Sequence, residues 1–332
     1  MKVLVTGATG FIGANVVRHL LRRGVDVRCV VRKPNLCLEG LPVELLTPAI
    51  GASDTEIDGL ARAMDGCEQV YHVAGIFDPS PGGEARMAQV HVEGTRGICA
   101  AAVKAGVKRV LVCSSSITVG YGPKDAPGDE DSPIDPDRLY GKRGALRAYY
   151  ETKLESERIA LTWPGVEAVV VNPDFIIGAW DIKPTSGQLI LTMAQKPVPV
   201  YPRGGKCFQD GDDCAIGHIL AMESGLPGQR YLLGNENLSY QEFMGIVAGV
   251  VGRRAPFIPL PRAAISTAAL IGGLLQRVDA HRFAGLEPHV LRSMQEERYR
   301  SGARAWALGV PRTPMVHAVE KAHRWFRDHK YL

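Results

Sequence analysis

The 332 residues contain no pair of cysteines at the close spacing that a zinc site or a dithiol motif requires. Seven cysteines, Cys29, Cys37, Cys67, Cys99, Cys113, Cys207 and Cys214, are scattered and odd in number. That argues against a disulfide framework and for reduced thiols in the cytoplasm. Charge of one sign is also scarce. Thirty-nine Lys and Arg against 35 Asp and Glu leave +4, with no basic stripe, so nucleic acid is excluded as a partner class. No apolar run reaches the ~20 residues of a membrane-spanning helix. The longest, Ala263 to Leu275, carries Ser266, Thr267 and two glycines. It reads as a buried or lid helix, with a peripheral membrane contact as the lesser alternative. The opening MKVLVTG leads directly into a strand and a glycine turn, without signal-peptide architecture. With 45% hydrophobic and 22% charged residues, the chain can bury a large core.

What is present is an alternation of strands and helices. Val3 to Val5 precede TGATGFIG; Phe11 to Arg23 carry an apolar stripe stopped by Gly24; Val27 to Val31 form the next strand. An apolar run at Val43 to Leu46, a helix near Ile57 to Met64 and a strand at Gln69 to Val73 follow. Then come a helix from about Met87 to Ala105, a strand at Arg109 to Cys113, a helix from about Leu146 to Leu161 and a strand at Glu167 to Val171. Near-continuous Val/Leu strands between helices predict an α/β fold, a doubly wound parallel sheet of Rossmann type with a smaller C-terminal substrate domain. Residues 1–172 are expected to form the dinucleotide-binding domain, with segments near 205–235 returning to it, and 173–332 mainly the substrate domain. Gly122 to Gly144, rich in Pro, Asp and Gly, is expected to be a substrate-side loop. Ser239 and Glu242 form a capping box ahead of a helix, and Val316, Val319 and Phe326 are expected on the inward face of the last one.

Gly7, Gly10 and Gly13 stand between a strand and an amphipathic helix, where glycine allows backbone to approach a pyrophosphate and the helix N-terminus offers amide donors. Thr9, Phe11 and Ile12 complete the turn. The second strand ends Val31-Arg32-Lys33-Pro34, without the carboxylate that would hold the ribose 2′-hydroxyl of NAD. Arg32 suits a 2′-phosphate, so NADP(H) is expected over NAD(H).

Tyr149 and Lys153 are four apart and share a helix face. A phenol titrates near ~10, and an ammonium about 4 Å away is worth up to ~3 pKa units, enough to make it an acid/base near neutrality. Lys153 can also hold the nicotinamide ribose. Ser114, Ser115 and Ser116 end the preceding strand, where one hydroxyl can meet a substrate oxygen while the others satisfy loop amides. Gly7, Arg32, Ala74-Gly75, Ser115 and Pro173 all fall at carboxyl ends of the expected strands, the edge where doubly wound sheets bind ligands.

Together TGATGFIG, the VAG after strand four, VEGT, GVKRVLVCSSS, YYETKLESE, VNPDFIIGAWDIKPT, DGDDCAIGH and RYLLGNENLS cover nearly the whole chain. This set resembles the extended short-chain dehydrogenase/reductases, in particular the dihydroflavonol-reductase-like branch and the hopanoid-associated sugar epimerases. The resemblance implies Tyr149 as general acid/base, Lys153 as its partner, Ser115 rather than Ser116 as the catalytic serine, Ala74, Gly75, Ser114 and Pro173 beside the cofactor, and a homodimer paired through two central helices. Departures are Pro48-Ala49 where the family commonly has Gly-Asp, and His91 where Asn is usual, read as an ordinary helix residue. Asp210, Asp212 and Asp213 read as a helix start rather than a metal site. The function expected is NADP(H)-dependent reduction of a ketone or aldehyde of a small molecule. The alternative is a nucleotide-sugar epimerase or dehydratase with retained cofactor; a cofactor-binding sensor is disfavoured because Tyr149 and Lys153 are both kept.

Overall fold

The computed structural model describes residues 1–261 and 294–332. Six strands, β1 (Lys2–Thr6), β2 (Asp26–Val30), β3 (Glu44–Leu46), β4 (Gln69–His72), β5 (Arg109–Cys113) and β6 (Glu167–Pro173), join an edge strand Arg230–Leu233 in one sheet. All pairs are parallel, in the order edge strand, β6, β5, β4, β1, β2, β3. Successive side chains on a strand face opposite ways, so a sheet covered on both faces needs apolar residues at every position. Val3 and Val5 of β1, Leu111 of β5 and Val169 and Val171 of β6 enter one core. Leu4, Val110, Val112, Ala168 and Val170 enter the other. This is a Rossmann-type doubly wound sheet.

Helix Phe11–Arg22 covers the first face beside helix Gly211–Ser224; Asp54–Ala63, Gly94–Ala105 and Ala145–Thr162 cover the second. Strand order reverses between β1 and β4, which opens a crevice at their carboxyl ends. The helix expected from Met87 to Ala105 begins earlier, at Gly83, and changes winding through a π turn at Gln89–Glu93. Apolar period alone does not reveal such a turn.

A smaller sheet is built on Gly205–Asp210. Glu236–Ser239 pairs with it antiparallel; Phe175–Ile177 and Glu297–Arg298 pair with it parallel. Phe208 stacks on Phe243 with centroids 4.1 Å apart, and helix Met315–Asp328 closes this core with Val319 and Phe326. Val316 is exposed, contrary to its expected inward face, because Met315 and Ala318 take the buried side of that turn. Asp210 caps helix Gly211–Ser224, accepting from the amides of Asp212 and Asp213. Residues 263–275, expected as a buried or lid helix, lie outside the described residues.

Ser239 accepts from the Glu242 amide at 3.1 Å and donates its own amide to the Glu242 carboxylate at 2.7 Å. Ser239→Ala is therefore expected to cost about 1 kcal/mol of stability in urea unfolding. An unchanged midpoint would mean that tertiary packing alone holds helix Tyr240–Val250.

Candidate active site

The glycine turn is shaped so that side chains do not fit. Gly7 adopts φ 70°, and a Cβ there would lie 2.6 Å from the Ala74 amide nitrogen. Gly13 packs so closely on the turn that its Cβ would lie 2.2 Å from the Gly7 carbonyl oxygen. Gly10, by contrast, is exposed, and a Cβ on it would meet only the Gly7 carbonyl at 3.4 Å. Gly10 is the N-cap of helix Phe11–Arg22, with no side-chain cap and no acidic residue in the first turn. The amides of Phe11 and Ile12 and the positive end of the helix are thus uncompensated, the arrangement that receives a phosphate. The residues present therefore fit the pyrophosphate of a dinucleotide. Phe11 turns its ring onto Gly178 and Gly211, while the Thr9 carbonyl accepts from Asn35 at 3.0 Å. That bond ties the segment after β2 to the turn. Arg32 and Lys33 are exposed there and have no ion-pair partner among the described residues.

Thr6, at the end of β1, is hydrogen-bonded to His72 at 2.8 Å and accepts from the Ala74 amide at 3.2 Å. These bonds set the loop after β4 against the glycine turn. Gly75 lies beyond it, where a Cβ would stand 2.8 Å from the Lys153 ammonium and displace it.

Tyr149 and Lys153 project from helix Ala145–Thr162 toward these strand ends. The Ser115 hydroxyl sits against the Tyr149 phenol, and accepts from the Ile117 amide at 3.3 Å. Lys153 donates to the Cys113 carbonyl at 3.0 Å. The Tyr149 ring meets Phe77 and His91 edge-on, at 5.5 and 5.6 Å. Tyr149, Lys153, Ser115 and Gly75 are thus brought together, and Pro173 ends β6 beside them.

Electrostatics correct one expectation. Burial pushes the Tyr149 phenol up to about 12; the Ser115 hydroxyl opposes this. The lowered phenol expected from the Tyr149–Lys153 spacing is not found: burial raises it, and burial lowers Lys153 itself. His72 and His91 are pushed down to about 3 and about 2, by burial first and by the Lys153 charge second, so both are neutral.

Two further residues differ from expectation. Ser114 is buried and its hydroxyl donates to Glu157 at 2.5 Å, so its side chain faces protein rather than the cofactor crevice. His91 is more than an ordinary helix residue. It is buried in the π turn, accepts from the Ile76 amide at 3.1 Å through Nε2, and is bonded to Thr152 at 2.9 Å through Nδ1. Accepting at Nε2 places its proton on Nδ1, so one neutral ring joins the loop after β4 to the helix carrying Tyr149.

The expected substrate-side loop is anchored rather than free. Residues 122–144 include the short helix Pro136–Tyr140, and Gly122 and Gly128 bridge to Tyr299 and Arg300. Beside it lies a cavity of about 430 Å³ lined by Tyr121, Arg138, Arg203 and residues 295–297.

A family model described as the NAD dependent epimerase/dehydratase family matches residues 3–234. The chain belongs to this family. Among its relatives, a protein of Synechocystis named "Putative dihydroflavonol 4-reductase" is 33% identical across 99% of this chain and 95% of its own length. Sterol demethylase protein B of Methylococcus capsulatus is 30% identical over 99% of both. A crystal structure described as a nucleoside-diphosphate-sugar epimerase from Pseudomonas aeruginosa superposes with a TM-score of 0.78 at 25% identity, covering 100% of this chain and 99% of that one. As an extended short-chain family member, the protein is an NAD(P)-dependent oxidoreductase acting on a small molecule. No helix among the described residues is long and apolar enough to cross a membrane.

Proposed function

We propose that this family member is an NADP(H)-dependent carbonyl reductase. The observation that carries the reading is the convergence of Tyr149, Ser115 and Lys153 beside the glycine turn. When bound, the nicotinamide supplies the reducing equivalent. Gly7, Gly10 and Gly13 with the amides of Phe11 and Ile12 would hold the pyrophosphate, Arg32 the 2′-phosphate, and Lys153 the ribose, with Ala74, Gly75 and Pro173 on the nicotinamide side. Ser115 donates a hydrogen bond to the substrate carbonyl oxygen, and Tyr149 delivers its proton to that oxygen as the alcohol forms. A phenol held up to about 12 stays protonated at neutral pH, which is the form a reduction needs. Segments 122–144 and those after Pro173 shape the substrate side. The same reading takes the protein as cytoplasmic and as a homodimer paired through helices Gly94–Ala105 and Ala145–Thr162, a pairing supported by the exposure of Val103 and Leu154.

The second reading, favoured by likeness to the Pseudomonas epimerase, is a nucleotide-sugar epimerase or dehydratase with retained cofactor. A panel of ketones and aldehydes followed by NADPH oxidation separates the two. Stoichiometric NADPH consumption with alcohol formation is expected. Sugar-nucleotide conversion without net cofactor consumption would replace the reductase reading with the second.

A further inference from the structure

Glu157, the last residue of the YYETKLESE motif, is used nowhere in the proposed chemistry, yet it is buried two turns below Tyr149 and one below Lys153. Its Oε1 accepts from Ser114 at 2.5 Å, Thr118 at 2.5 Å and Asn172 at 2.7 Å, while Oε2 takes Arg230 at 3.2 Å. Each of these groups can donate to the Glu157 carboxylate, and Arg230 pairs with it as a part-buried ion pair. Those partners belong to the ends of β5 and β6 and to the edge strand. Asn172 also reaches the Ser115 carbonyl at 3.2 Å, and precedes Pro173. Lys153 and Glu157 therefore clamp neighbouring residues, one through the Cys113 carbonyl and the other through the Ser114 hydroxyl.

We propose that Glu157 is the positioning residue of this site, locking the Ser115 and Asn172-Pro173 edges to the helix that carries Tyr149 and supplying the negative charge beneath Lys153. The inference rests on the reductase reading for its catalytic consequence, though not for its electrostatic one. The titratable groups facing Lys153 are His72 from β4, His91 from the π turn, Cys113 from β5, and Glu157 from its own helix. Both histidines are neutral, and burial holds the Cys113 thiol up at about 11. Glu157 is thus the one anion among them, its charge shared with Arg230.

Glu157→Gln retains Oε1 as acceptor for the three donors, removes the charge and gives up the Arg230 bond at Oε2. Without that anion Lys153 releases its proton more readily. The pH midpoint of Lys153 acetylation by acetic anhydride, read by peptide mass spectrometry, is expected to fall by about half a unit or more. With a carbonyl substrate, the alkaline limb of kcat/KM moves down with it, and kcat falls about tenfold while KM for NADPH holds. Glu157→Asp keeps the charge but retracts the oxygens, so it lowers kcat with the acetylation midpoint unmoved. It also serves if the Gln variant fails to fold, because a shifted midpoint in Glu157→Asp overturns the proposal. An unmoved midpoint in folded Glu157→Gln overturns it equally. A shift in a protein that reduces no carbonyl on the panel leaves Glu157 in place and removes the reductase reading.

Discussion

Replacing Tyr149 with phenylalanine is expected to lower kcat for carbonyl reduction by about 10²- to 10⁴-fold, the range typical of a lost general acid. The substitution is close to volume-conserving. The edge contacts with Phe77 and His91 persist, and the hydroxyl lost has Ser115 as its neighbour. Neither the glycine turn nor the Lys153 bond to the Cys113 carbonyl depends on that hydroxyl. NADPH affinity, followed by fluorescence titration, is therefore expected to stay within about twofold, so the loss appears in kcat rather than in binding. Ser115→Ala should cost less, because Tyr149 can still reach the alkoxide. Wild-type turnover in Tyr149→Phe would remove the phenol from the chemistry and require another proton donor in the same crevice.

Much of this arrangement is legible in the sequence. Parallel strands buried on both faces must be apolar at each position, so β1, β5 and β6 announce themselves as Val/Leu runs. The spacing of Gly7, Gly10 and Gly13 reflects backbone approach distances that exclude a Cβ at Gly7 and Gly13. The four-residue spacing of Tyr149 and Lys153 is geometry inherent in a helix. What stayed hidden depends on where separate strand ends meet. The four-residue spacing of Tyr149 and Lys153 carries no sign of the burial that raises the phenol. Ser114 looked equivalent to its neighbours because alternation gives no hint that Glu157 waits below it. Glu157 itself had a signal: it continues the Tyr149, Lys153 face by four more residues. His91 had only its departure from the usual asparagine, and its bonds to Ile76 and Thr152 arise from the π turn.

Cofactor choice offers the second large effect, and it rests on what surrounds the end of β2. Val31 is buried and anchors the strand end, whereas Arg32 and Lys33 are exposed beyond it. No carboxylate occurs between Val31 and Leu38, so nothing there accepts from a ribose 2′-hydroxyl. Asn35 holds this segment to Thr9, which ties the stretch carrying both cations to the glycine turn, the tie on which the proposed 2′-phosphate contact rests. A charge-assisted hydrogen bond contributes about 1.5–3 kcal/mol. Arg32→Ala is accordingly expected to raise KM for NADPH by about 10- to 100-fold and to leave KM for NADH nearly unchanged. Lys33→Ala should have the smaller effect, since a guanidinium engages a phosphate with two donors and an ammonium acts as a point charge. Added salt should weaken NADPH binding in the wild type more than in Arg32→Ala, because the pair is exposed and screened. If the NADPH-to-NADH preference is the same in Arg32→Ala as in the wild type, the 2′-phosphate is held elsewhere or not at all.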